Sequence, residues 1–98
     1  MAERVIVWTS TAKLELKLIF DFFNDRNKSK TYSLKLHRKI QTELNLLIKQ
    51  PYIGKKTNEI NVRGILVENY ILFYELNDNV IVILSVWDTR QNPDKLMF

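Results

Sequence analysis

The chain has 98 residues, 46% of them hydrophobic, with two glycines, two prolines and no cysteine. That size and composition suit one domain over residues 1–98 and exclude a disordered chain, a disulfide framework and a thiolate metal site. The net charge is +4, but residues 25–56 carry nine basic residues against two acidic ones, a local +7 that leaves −3 for the remainder.

Residues 4–8 read as a first strand, because Val5, Ile6, Val7 and Trp8 are strong β-formers. Thr9, Ser10 and Thr11 offer N-caps for a helix starting near Ala12. Its apolar residues Ala12, Leu16, Ile19, Phe20 and Phe23 recur at helical spacing, and Leu14, Leu18 and Phe22 widen the stripe. Residues 24–27 should break this helix. A second helix is expected from Ser29 or Lys30 to Ile48, with Tyr32, Leu36, Ile40, Leu44 and Leu47 facing inward. Pro51 forbids its continuation and Gly54 permits a turn. Lys55, Lys56, Thr57 and Asn58 read as a polar loop. Three strands follow, over residues 61–67, 70–76 and 80–87, with compact turns at Glu68-Asn69 and Asn77-Asp78-Asn79. The order predicts an α+β fold: an N-terminal strand and an antiparallel two-helix hairpin packed on a mainly antiparallel four-stranded sheet.

Several chemistries drop out. His37 is the one histidine, so a two-histidine metal site is excluded, and its basic helical setting suits a surface role. Gly54 and Gly64 are isolated, so there is no phosphate-binding glycine loop, and no carboxylate pair is spaced for catalysis. Neither metal nor cofactor is expected. No run of about 18 apolar residues occurs, and the N-terminus lacks a signal-peptide pattern. The expected location is therefore cytoplasmic, with no membrane partner. The basic segment is either a solvated helix face or a surface for RNA, DNA or an acidic protein. Trp8 and Trp87 read as core or helix-covering residues. Tyr70 and Tyr74 share a strand face, with one hydroxyl able to reach the surface.

Across nearly its whole length the chain resembles the RelE/ParE superfamily of bacterial type II toxins. The marks are the strand ending in Trp8 with Ala12 opening the helix, Pro51-x-x-Gly54, Arg63, Tyr70-x-x-x-Tyr74, and Trp87 to Pro93 after the last strand. The resemblance implies a toxin held inactive by a cognate antitoxin, in a toxin–antitoxin hetero-oligomer. RelE-like members cleave messenger RNA on the ribosome, whereas ParE-like members poison DNA gyrase. The candidate target-binding or nucleic-acid-binding residues are Lys55, Lys56, Arg63 and Arg90, with Arg63 and Arg90 the catalytic candidates. Arg90 could instead pair with Asp88, and either could reach Arg63 or Glu75. RNA cleavage needs an acid, a base and cations around one phosphate. Here Ile71 stands where the family often has Arg, and residues 94–98 supply neither Tyr nor His. These departures favour the ParE-like, gyrase-poisoning side. The alternatives are a RelE-like ribosome-dependent nuclease and a degenerate member that only binds.

Overall fold

The structure, a computed structural model, describes residues 4–91. The elements are β1 (Val5–Trp8), α1 (Ser10–Asn27), α2 (Thr31–Lys49), β2 (Lys55–Lys56), β3 (Val62–Val67), β4 (Tyr70–Asn77) and β5 (Val80–Asp88). The sheet order is β1-β5-β4-β3-β2. β1 runs parallel to β5, and the other pairings are antiparallel. This is the expected α+β architecture with one strand more than the four predicted. The addition is β2, read from sequence as part of a loop. Lysines have weak β preference, and two residues show no alternation; β2 exists because β3 presents Gly64 and Arg63 to pair with Lys55 and Lys56.

Thr9 joins three elements. Its hydroxyl oxygen accepts from the Ala12 N–H at 3.1 Å and so caps α1. Its own N–H donates to the Ile83 carbonyl at 3.1 Å, and its hydroxyl donates to the Leu84 carbonyl at 3.2 Å. At the other end, residues 24–27 do not break the helix as expected. It continues through Asn27 and stops at Lys28, which takes the left-handed conformation (φ 52°) usually left to glycine.

The inner stripe of α2 is the predicted one: Leu36, Ile40, Leu44 and Leu47 are buried, and Tyr32 packs against them. They close over Val67, Tyr70, Leu72, Tyr74, Ile81, Ile83 and Val86 on one face of the sheet. Each such aliphatic side chain contributes about 1.5–3 kcal/mol on burial. α1 is less completely covered, leaving Leu14, Leu18 and Phe22 exposed. Among the described residues no helix is long and apolar enough to cross a membrane.

The β4–β5 register shifts between Phe73, opposite Ser85, and Tyr74, opposite Ile83, so Leu84 is the extra residue of a bulge. The bulge moves the buried positions of β5 from Ile81 and Ile83 to Val86. β1 pairs with β5 only as far as Ile83. Past that point Glu15 of α1 serves the strand edge, its carboxylate accepting from the Val86 N–H at 3.1 Å and the Ser85 hydroxyl at 3.0 Å.

Candidate functional site

Four of the motif residues form one clasp. Tyr74 is fully buried; its hydroxyl donates to the Pro51 carbonyl at 2.8 Å and accepts from the Gly54 N–H at 3.0 Å. A Cβ on Gly54 would lie 2.3 Å from the Tyr74 hydroxyl oxygen, so this approach requires glycine. The Arg63 Nη1 donates to the carbonyls of Tyr52 (3.1 Å) and Gly54 (2.9 Å), and its guanidinium lies 5.2 Å from the Tyr52 ring centroid. The spacing Pro51-x-x-Gly54, Arg63, Tyr74 therefore holds the turn after α2 against the sheet. Burial raises the Tyr74 hydroxyl pKa, partly offset by the Gly54 N–H and by Arg63. The hydroxyl stays protonated as the donor to Pro51.

That turn positions β2 and the groove beside it. The strand register places Gly64, Leu66, Ile71 and Phe73 on the face of the sheet away from the helices. With Ile53, Ile65, Lys55, Lys56, Thr57 and Asn58 they line a cleft of about 600 Å³. Its floor is hydrocarbon, and Lys55 and Lys56 are the cations of its lining. A Cβ on Gly64 would sit 2.8 Å from Ile71 Cγ2, so glycine here lets Ile71 and Phe73 lean across β3.

Arg90 lies elsewhere. It grips Asp88 with both arms, Nε to Oδ1 at 3.0 Å and Nη2 to Oδ2 at 2.9 Å, while its N–H donates to Oδ1 at 2.9 Å. Asp88 is opposite Tyr70, on the helix-facing side, and both it and Arg90 border a small pocket with Leu18, Ile19 and Phe22 of α1. The hydrogen bonds from Arg90 hold the Asp88 carboxyl below its ordinary pKa, and Asp88 in turn raises that of Arg90. Burial, then the Asp88 charge, pushes the Tyr70 hydroxyl upward.

The four candidate cations do not converge. Lys56 shares a row with Arg63 and Tyr74, whereas Arg90 lies past the Tyr70–Asp88 row. About 13 Å along the strands and about 14 Å across them separate Lys56 from that row, too far for one phosphate. Of the earlier pairing options for Arg90, Asp88 is realised. Tyr70 and Tyr74 share the helix-facing side, and both are buried. Trp8 packs on the core, while Trp87, half-buried, is paired with Ile71 on the opposite face. His37 is exposed on α2, its ring centroid 6.2 Å from that of Phe20. The positions after Gln91, including Asn92-Pro93 and the tail without Tyr or His, lie outside the described residues.

The family model for the ParE toxin of the type II toxin–antitoxin system, parDE, matches residues 6–93. The chain belongs to the ParE toxin family. No curated protein matches it in sequence. The fold is similar to the solved chromosomal ParDE toxin–antitoxin system of P. aeruginosa, with a TM-score of 0.74 and 18% identity over 90% of this chain and 98% of that one. It is also similar to the E. coli DinJ–YafQ toxin–antitoxin complex, with a TM-score of 0.61 and 16% identity over 99% of this chain and 100% of that one. YafQ from E. coli strain BL21(DE3) gives a TM-score of 0.56 and 17% identity over 88% and 93%. At these identities the likeness is one of fold. For this ParE-family chain, the sequence had singled out the two lysines that line this cleft but not its hydrocarbon floor. The signal was available: β4 is apolar at consecutive positions from Tyr70 to Tyr74, so both its faces bury hydrocarbon.

Proposed function

We propose that this ParE-family protein is a cytoplasmic toxin that stops growth by binding an essential protein, with DNA gyrase the favoured target. A cognate antitoxin encoded beside it holds it inactive in a hetero-oligomer. One observation carries the choice of binding over catalysis. Arg63 is committed to the carbonyls of Tyr52 and Gly54, Arg90 is committed to Asp88, and the two lie at opposite ends of the sheet. The groove is left with Lys55 and Lys56 above a hydrocarbon floor. Breaking an RNA phosphodiester through its 2′-hydroxyl requires proton transfer at two oxygens and stabilisation of one developing charge. Two lysines beside Leu66, Ile71 and Phe73 are better suited to holding a partner than to moving its protons. The antitoxin partner is supported by family membership and by the toxin–antitoxin assemblies among the similar structures.

The test is induction of the chain in cells, with and without the gene beside it. The expected outcome is growth arrest with filamentation and a DNA-damage response, relieved by co-expression of the neighbour. Rapid loss of translation with cut messages would favour the nuclease instead, and unimpaired growth would leave a degenerate, binding-only protein.

A further inference from the structure

The groove beside β2 has two features that phosphate binding does not call for. The first is its floor. Leu66 is 64% exposed and Ile53 is 40% exposed, and both border the cleft with Ile71 and Phe73. Proteins that track single-stranded nucleic acid combine cations with open aromatic faces on which bases stack. Phe73, the aromatic of this lining, is 4% exposed and offers no such face. A cleft of about 600 Å³ lies within the range of roughly 300–1,000 Å³ typical of sites that seat organic groups.

The second feature is the edge. β2 ends the sheet. The Thr57 N–H donates to the Val62 carbonyl at 3.3 Å, which makes Thr57 and Val62 a hydrogen-bonded pair. Antiparallel ladders alternate, so the N–H and C=O of Lys56 turn outward to the open edge. An extended peptide laid there gains main-chain hydrogen bonds from Lys56 and sends alternate side chains over the groove. An apolar side chain would cover Leu66 and Ile71, and carboxylates flanking it would meet Lys55 on the groove face and Lys56 on the other face, where Lys56 shares a row with Arg63.

We infer that this groove seats an extended segment of the target protein, bearing an apolar side chain flanked by carboxylates, rather than a stretch of nucleic acid. The assignment rests on the reading above that the toxin acts by binding a protein. It deepens that reading by naming the chemistry of the bound segment.

The experiment uses the full chain and purified E. coli gyrase holoenzyme. A photo-cross-linking phenylalanine analogue is placed at Leu66, and the adduct is mapped. The expected adduct lies in an acidic, apolar stretch of a gyrase subunit. In parallel, Leu66→Asp and the double variant Lys55→Glu/Lys56→Glu should each weaken gyrase binding at least tenfold. Their melting curves should stay close to wild type, because these side chains are exposed. Variants that bind as wild type does, or adducts confined to nucleic acid, would overturn the assignment while leaving gyrase as the target. A wild-type chain that does not bind gyrase would remove the proposed target itself. Should a variant fail to fold, the position of the Leu66 adduct decides.

Discussion

Tyr74 shows how a residue conspicuous in sequence can serve the fold. Its hydroxyl satisfies a buried carbonyl and a buried N–H at once. Tyr74→Phe leaves both without a partner, and the expected cost is about 1–3 kcal/mol at neutral pH. Burial raises the folded pKa of this tyrosine above the ordinary tyrosine value. Its contribution is therefore full below the unfolded value and is lost as pH rises through the folded one. Urea unfolding at about pH 8 and about pH 11 checks this: wild type should lose stability between the two, and Tyr74→Phe should lose less. Tyr70, also raised, supplies the remaining decline. Asp88 works in the opposite direction. Its lowered pKa means the stabilisation is present above the ordinary carboxylate value and is lost as pH falls through the folded value. Arg90→Ala should flatten that acid limb, the lost increment appearing as a small drop in stability at neutral pH and none in acid, measured by urea unfolding from neutral into acid pH. The sequence marked Asp88 and Arg90 as charged residues at a strand end and Arg63 as a basic residue within a strand. It could not show that Arg63 is held by backbone carbonyls, because backbone acceptors leave no trace in side-chain identity.

At the scale of elements, legibility followed the strength of the periodic signal. α2 was readable because its buried apolar residues Leu36, Ile40, Leu44 and Leu47 recur at helical spacing against a polar outer face. The end of α1 was not, since Lys28 adopts a left-handed conformation without being glycine. β2 escaped because it is imposed by its neighbour, and the bulge at Leu84 because the run from Val80 to Leu84 is apolar at every position and so carries no alternation to mark a shift. Glu15 is a third case. An acid on a helix reads as solvent-facing, as Asp21 and Asp25 are, yet Glu15 receives the Val86 N–H and the Ser85 hydroxyl where β5 outruns β1. Glu15→Ala should cost about 1–3 kcal/mol. The Val86 amide should then exchange its hydrogen markedly faster than in wild type, as followed by NMR. An unchanged Val86 exchange rate would mean water serves that edge equally well.

For the whole molecule, the order of elements was enough to reach the architecture, and the motif spacing was enough to reach the family. The site was only half legible. Lys55 and Lys56 could be named, but their groove depends on strand register and on the lean of Ile71 and Phe73 over Gly64. Gly64→Ala tests that shape: its Cβ crowds Ile71, and forced repacking of this kind costs about 1–3 kcal/mol. Toxicity should fall more than folding does, as read from growth assays beside melting curves. The central claim is that this ParE-family toxin binds its target and does not cut RNA. The most direct measurement adds purified wild-type chain to gyrase with supercoiled plasmid, and in parallel to ribosomes programmed with a labelled message. The account predicts trapped, linearised plasmid and an intact message. Untouched plasmid with a message cut on the ribosome would contradict it.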